Sequence, residues 1–500
     1  MNIAKVFAET AGKDPEKTMF IYGDKHYTFG QIEELSSRFA SGLSNFGVKK
    51  GDVVSLGLPN CPEFVIVLLG IAKIGAVTLP LNPMLKHKEL SFIFGDCKVR
   101  CAVTFEGHAR IIGTLQESKE DDFFMIGLSG GEEGIRSTIS DLASTNPLQK
   151  LKPAPIFAKD LFLIVYTSGT TGHPKGVMLG HDNVLAVAGA VAQCHGCLDQ
   201  DDRYVCFFPL THITGIVNFL VNGFLTGSSM VLMKRFDLGE YLNCFDQHKA
   251  TVMGAVTPVF MDILAIEDLD QYDFDSLKRI TSGGASLPAA LYQRLEKQFG
   301  VPILEMYGMT ENAATLTSNP LYRQKMGSVG VVLDGMAVKV TGEGGEELLP
   351  GSIGEILAKG KGVMKGYLNK PGLTQKTLGD SWYHTGDLGK IDEDGFLYIV
   401  DRKDDMINAG AFKIYPREVE EAILKHPEVA DCAVIKQEDE RMGQIPAAFV
   451  VLKIGAGLTE ESLKEFSRKS IANYKVPRRF NFIDELPRNA QGKILKRELH

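Results

Sequence analysis

The sequence has no cysteine framework, no long apolar run and no excess of basic charge. Eight irregularly spaced cysteines in 500 residues do not make the disulfide scaffold of a small secreted domain. The nearest approach to a metal motif is Cys194-His195-Gly196-Cys197. It has no second CxxC to complete a zinc site and is not a CxxCH haem signature, so these thiols read as packed small hydrophobes. A formal net charge of −8 argues against nucleic acid or an anionic membrane as the main partner. The opening MNIAKVFAETAGKDPEK carries acidic residues early and no apolar h-region, so no signal peptide is expected. Residues 64–81 are broken as a membrane span by Lys73, Gly70 and Gly75. Residues 213–233 hold Asn218, Asn222 and three glycines, and read as a buried helix, a turn and a core strand. Low-complexity tracts and internal repeats are absent as well. The expectation is a cytoplasmic protein without an integral membrane segment.

What is present fits a large enzyme. A 500-residue chain that is 44% hydrophobic can bury its cores without disulfides or metals. From Tyr27 to Phe46 apolar residues recur at helical spacing, with Thr28 as cap and Gly47 as stop. VVSLGL (53–58) then predicts a strand, FVIVLLGIAKIG a helix and AVTLPL a further strand. Candidate strands follow at 204–208, 229–233, 251–256, 278–282 and 303–306, which predicts α/β architecture with mostly parallel sheets covered by helices. Between about 320 and 400, glycines separate short strand-like runs, as in a small β-rich subdomain. DRKDD at 401–405 has no apolar member and is read as a boundary between residues 1–401 and a C-terminal domain, 402–500. There PREVEEAILKHPEVADCAVIKQ predicts helix then strand, AAFVVLK a strand, and LTEESLKEFSRKSIANY an amphipathic helix capped at Thr459.

Residues 166–176 read YTSGTTGHPKG. This is not a Walker loop, because Lys175 is followed by Gly176 rather than by a magnesium-binding hydroxyl. The ingredients of a polyanion cradle are nonetheless there. Gly169, Gly172 and Gly176 let backbone amides approach, Thr167, Ser168, Thr170 and Thr171 can donate, and Lys175 supplies charge. On composition alone, a solvated turn between strand and helix stands level with a phosphate loop.

The loop is followed, in order, by GGASLP (283–288), YGMTE (307–311), YHTGD (383–387), DRKDDMINAGAFKIYPREVE (401–420) and PRNAQGKILKREL (487–499). Together these segments resemble the adenylate-forming superfamily of acyl-CoA synthetases, firefly luciferase and non-ribosomal adenylation domains. The similarity is to the acyl-CoA synthetase branch. The resemblance implies a large N-terminal domain of parallel-sheet α/β subdomains with a small β subdomain, followed by a small mobile α+β domain. It also implies two half-reactions: a carboxylate attacks the α-phosphate of ATP to give acyl-AMP and pyrophosphate, then a thiol, usually that of coenzyme A, displaces AMP.

By that resemblance Lys493 reaches the α-phosphate and the incoming carboxylate, a task suited to a compact charge on a long stem. Glu311 binds Mg2+, a hard cation that prefers oxygen ligands, and Thr310 donates to the α-phosphate. Tyr307 offers a ring face to adenine, with Gly308 and Met309 beside it and Gly284, Ala285 and Ser286 opposite. Asp387 accepts from the ribose hydroxyls, with Arg402 alongside. Asp404 matches the hinge about which the small domain turns between half-reactions. Gly410 and Ala411 line the pantetheine tunnel, where many relatives carry glycine in place of Ala411. His212, in FFPLTHITG, matches the wall beside the substrate carboxylate.

The acyl pocket expected from Ile213, Thr214, Val256, Thr257 and Met309 is apolar or small, favouring an uncharged acyl, alicyclic or aryl acid. HITGIVNFL holds no aspartate to pair an amino-acid ammonium. The expected enzyme is an AMP-forming acid–thiol ligase using ATP, Mg2+ and coenzyme A, as a monomer or homodimer. Two alternatives stay open: a stand-alone adenylating enzyme that loads a carrier protein, for which YKVPRR (474–479) is a candidate docking patch, and a nucleotide-binding paralogue without catalysis.

Overall fold

The computed structural model describes residues 1–116, 123–131, 134–145, 155–167, 174–196, 201–410, 412–488 and 494–500. They fall into two compact units, residues 1–337 with 358–383, and residues 338–357 with 384–500.

In the first unit, local sequence rules set the helices. Helix Phe29–Asn45 opens on a reciprocal cap: Thr28 Oγ1 accepts from Gln31 N at 3.2 Å, and Gln31 Oε1 accepts from Thr28 N at 2.9 Å. Gly47, at φ +84°, ends it. Helix Pro62–Ile74 starts with proline at its first position and stops at Gly75, φ +72°. It is apolar on every side because it is buried on every side. At its centre a Cβ on Gly70 would stand 2.7 Å from Phe39 Cδ1, so glycine sets how closely the two helices cross. The charge that interrupts this run, Lys73, is paired with Glu33 Oε1 at 2.8 Å and donates to Ser37 Oγ at 2.7 Å. Burial lowers its pKa and Glu33 works against that shift. No helix among the described residues is long and apolar enough to cross a membrane.

Two sheets organise this unit. One contains the parallel strands Ile303–Tyr307, Arg279–Gly283, Val252–Ala255, Arg203–Cys206 and Ser229–Leu232 as successive neighbours. The other places Leu161–Thr167, Val77–Pro80, Val53–Gly57 and Val99–Thr104 side by side, again parallel. Parallel strands buried on both faces explain the near-continuous apolar runs. The stretch 213–233 forms a π-helix, Gly215–Val221, a helical turn Asn222–Thr226, Gly227 at φ +73° and strand Ser229–Leu232. Cys194-His195-Gly196 is the end of helix His181–Cys194: Gly196 turns at φ +66° and His195 Nε2 bonds Ser318 Oγ at 2.8 Å. Cys197 lies outside the described residues.

The second unit is built on a four-stranded sheet, Met336–Thr341, Gly354–Gly360, Tyr383–Ile391 and Leu397–Arg402. Beyond it Val429–Asp439 and Gly443–Leu452 pair antiparallel, and Arg479–Phe482 joins the latter in parallel. Helices Pro416–Ile423 and Glu460–Ser470 bury Val419, Ile423 and Leu463 against Val434, Val450 and Phe480. The second helix starts where expected, with Thr459 Oγ1 accepting from Ser462 N at 3.3 Å.

Candidate active site

Sheet order gathers four of the expected segments. Neighbouring parallel strands end at Cys206, Ala255, Gly283 and Tyr307, and the chain beyond each carboxyl end carries, in turn, His212, Val256–Thr257, Gly284–Ser286 and Gly308–Glu311. Ligands of open α/β sheets bind in this crevice at the carboxyl edge. Register keeps the ends flush, with Gly283 opposite Met306 and Ala255 opposite Ser282. Gly284 takes φ +80°, and Thr257 Oγ1 donates to Ser286 O at 2.7 Å. The Thr257 hydroxyl therefore fixes the 284–286 turn.

The turn after Tyr307 is tight. A Cβ on Gly308 would stand 2.0 Å from Ala314 O, so only glycine fits. Met309 N donates to Asn312 Oδ1 at 2.9 Å, Thr310 is buried, and Ala313 and Ala314 sit at φ +56° and +90°. Non-glycine residues held there cost about 1–3 kcal/mol each, a strain found where a site must be held rigid. Asn218 of the π-helix pins the far side, its Nδ2 lying 3.0 Å from Thr315 Oγ1. The sequence reading did not find Asn218, because nothing in its spacing points to a partner 97 residues away.

The glycine-rich loop joins two strands, so the alternative of a simple turn between strand and helix does not hold. Leu161–Thr167 and Lys175–Gly180 pair antiparallel, with Thr167 opposite Lys175, and the helix begins only at His181. Ser168, Gly169, Thr170, Thr171 and Gly172 lie outside the described residues. Lys175 Nζ lies 5.6 Å from the centroid of the Tyr367 ring, and the Tyr367 hydroxyl donates to Glu311 Oε1 at 3.0 Å. Met364 N donates to Glu311 O at 2.7 Å, which ties the 307–311 segment to the strand Gly366–Tyr367. Burial and the Glu311 carboxylate hold the Tyr367 phenol well above its usual pKa, so it stays a donor. Tyr367 was missed in the sequence, where a lone Gly-Tyr in a glycine-rich β segment carries no spacing signal.

His212 follows two stacked rings, Phe207 and Phe208, and Phe208 in turn meets Phe219 at 5.3 Å. Its Nδ1 accepts from Thr214 N at 3.3 Å, and burial pushes its pKa down to about 4. The imidazole is neutral at neutral pH. Ile213 is buried, whereas Thr214, Val256 and Met309 are half-buried.

In the second unit Asp387 and Arg402 come together. They are opposite one another on adjacent antiparallel strands, and Arg402 donates to Asp387 Oδ1 at 2.5 Å. Asp387 is buried, and its N–H bonds Thr385 Oγ1 at 3.0 Å. Asp404 is exposed and its carbonyl accepts from Lys436 Nζ at 2.7 Å. Gly410 takes φ +63° and donates to Met442 O at 2.7 Å. Ala411 and Lys493 lie outside the described residues. Arg488 and Ile494 form an isolated antiparallel bridge, and Leu495 N donates to Pro487 O at 2.8 Å.

Residues 7–368 match the family described as AMP-binding enzyme, and residues 418–493 match the AMP-binding enzyme C-terminal domain. The long-chain-fatty-acid–CoA ligase of Bacillus subtilis (strain 168) is 33% identical over 99% of this chain and 94% of its own length. The 4-coumarate–CoA ligase of Pinus taeda is 34% identical over 95% of this chain and 90% of its own. ATP-bound MatB from Rhodopseudomonas palustris superposes with a TM-score of 0.92 at 30% identity, covering 100% of this chain and 98% of that one. With a matched family over most of its length, a carboxyl-edge crevice and the segment order of the superfamily, the chain belongs to the AMP-binding, adenylate-forming enzymes, in their CoA ligase branch.

Proposed function

We propose that this protein activates an uncharged acyl or aryl carboxylic acid with ATP and passes it to coenzyme A. A carboxylate oxygen attacks the α-phosphorus, the bond to the β-phosphate oxygen breaks, and pyrophosphate leaves. The CoA sulfur, having lost its proton, then attacks the acyl carbonyl carbon and AMP leaves. The observation that carries this reading is the convergence of Lys175, from the glycine-rich loop, and Glu311, from the YGMTE turn, on one ring, Tyr367. A triphosphate with its divalent ion needs just such a fixed cation beside a fixed carboxylate.

Glu311 suits Mg2+, since its carboxylate is a hard oxygen donor held by a neutral phenol. Magnesium takes one or two carboxylates and completes its shell with phosphate and water oxygens, which neutralises charge on the polyphosphate. Thr310 is assigned the α-phosphate, and Tyr307 with Gly284, Ala285 and Ser286 the adenine, which the shared carboxyl edge supports. Asp387 and Arg402 are assigned the ribose. Lys493 is assigned the α-phosphate and substrate carboxylate, on the strength of the GK position in its motif. Residues 402–500 are assigned the mobile lid turning at Asp404, with Gly410 and Ala411 facing the pantetheine arm.

A neutral His212 supports a wall beside the substrate, because an ionised carboxylate needs no general base. The Phe207–Phe208–Phe219 cluster near it supports an apolar acyl site, as do relatives named for long-chain fatty acids and 4-coumarate. A reducing, cytoplasmic setting is supported by the seven described cysteines, none of which is in a disulfide.

The test is a panel of short, medium, long, alicyclic and aromatic acids with ATP and Mg2+, reading pyrophosphate and CoA thioester separately. Both products from one acid class are expected; pyrophosphate without thioester would redirect the acceptor to a carrier protein.

A further inference from the structure

The Tyr367 side chain contacts two charged groups of the proposed triphosphate site, Lys175 and Glu311. Its ring faces Lys175 Nζ at 5.6 Å and its hydroxyl donates to Glu311 Oε1 at 3.0 Å. The residue itself is held rigidly. It is 5% exposed, its N–H donates to Thr374 Oγ1 at 2.9 Å, and its strand pairs Tyr367 with Val177 and Gly366 with Met178 beside the loop. Gly366 has no room for a side chain, since a Cβ would stand 2.7 Å from Thr374 Cγ2. A backbone bond from Met364 N to Glu311 O, 2.7 Å, carries the same segment onto the carboxylate's own turn.

We infer that Tyr367 is a positioning residue for metal–nucleotide binding: its hydroxyl fixes the Glu311 carboxylate while its ring holds the Lys175 ammonium. The hydroxyl occupies one lone-pair direction of Oε1 and stops the carboxylate from turning, while Oε2 keeps its acceptor capacity. The phenol serves this better than a lysine or arginine, because it orients the carboxylate without neutralising its charge. The ring adds a cation–π contact that places Lys175 without consuming any of its three donors. The inference rests on the assignment of Glu311 to magnesium made above.

The experiment compares wild type, Tyr367→Phe, Tyr367→Leu, Glu311→Gln and the Tyr367→Phe/Glu311→Gln double variant. Two quantities are read: the Mg2+ midpoint of ATP–pyrophosphate exchange, and direct Mn2+ binding to the protein with a non-hydrolysable ATP analogue, followed by electron paramagnetic resonance. Tyr367→Phe keeps the ring, so its Mg2+ midpoint and Mn2+ dissociation constant are expected to rise about tenfold, the scale of one hydrogen bond to a charged group, with KM for acid and CoA unchanged. Tyr367→Leu is expected to raise the dissociation constant of the metal-free nucleotide as well. In the Glu311→Gln background the Phe change is expected to add less than twofold. A Tyr367→Phe enzyme with wild-type metal dependence, where Glu311→Gln weakens it, would overturn the role of Tyr367 alone. If Glu311→Gln also leaves metal binding untouched, the assignment of Glu311 falls and the inference falls with it. Should Tyr367→Phe lose its folded baseline, Tyr367→Leu takes its place in the double cycle, since it too offers no donor to Glu311; wild-type metal binding there would likewise count against the inference.

Discussion

Asp387 and Arg402 sit directly opposite one another on antiparallel strands, joined by a 2.5 Å charge-assisted hydrogen bond. The carboxylate is buried and the guanidinium partly exposed. Asp387→Asn removes the negative charge that Arg402 faces. Loss of one charged hydrogen bond costs about 1.5–3 kcal/mol, roughly tenfold to a hundredfold in affinity. KM for ATP is expected to rise by that factor in steady-state kinetics, while KM for CoA stays within twofold. An equal rise in both would point to general unfolding instead.

Gly308 is the position least able to change. Its Cβ would fall 2.0 Å from Ala314 O, so Gly308→Ala must open the turn that carries Thr310 and Glu311. Pyrophosphate formation is expected to drop at least a hundredfold, on the order of 3 kcal/mol in the barrier, with far-UV circular dichroism unchanged. A Gly308→Ala enzyme of near wild-type rate would show that the turn is dispensable.

Much of the fold was legible because local chemistry and tertiary packing agree. The Thr28 and Thr459 caps, the Gly47 stop and the strands of the first sheet each rest on a rule acting within a few residues. What stayed hidden depends on distant partners. Tyr367 meets Glu311 across 56 residues, and Asn218 meets Thr315 across 97. The π-helix was hidden too, since GIVNFLV reads as a buried apolar run whichever helical form it takes. The strand Lys175–Gly180, which the sequence reading did not assign, pairs with 161–167 just before the loop and with 366–367, a neighbour remote in sequence.

Acid should loosen the first unit. His181 and His195 are fully buried, and burial pushes their pKa values down to about 4 and about 3. Unfolded histidines take up protons near pH 6.5, so between there and about 4 the unfolded state binds more protons. Stability is complete above pH 6.5 and falls as pH drops through that window, by about 3 kcal/mol from His181 alone. Denaturant titrations at several pH values should show this slope, and His195→Gln should flatten it by about one proton. Superimposable slopes would exclude His195 as a contributor.

Lys73 is a buried ammonium that depends on Glu33. Removing only the acid, as in Glu33→Ala, strands the charge and should cost about 3–5 kcal/mol. Lys73→Met leaves only Glu33, whose side chain is 31% exposed against 9% for Lys73 and so is the easier of the two to solvate, and should cost clearly less by urea unfolding. The reverse order would show that the methylene stem, rather than the pairing, matters.

The central claim is that one chain performs two half-reactions with separate machinery. The most direct measurement gives Lys493→Ala two substrates in parallel: acid with ATP, read as pyrophosphate, and a synthetic acyl-adenylate with CoA, read as thioester. The account predicts at least a hundredfold loss in the first, about 3 kcal/mol in the barrier, and near wild-type turnover in the second. Equal loss in both, or an unimpaired first step, would contradict it.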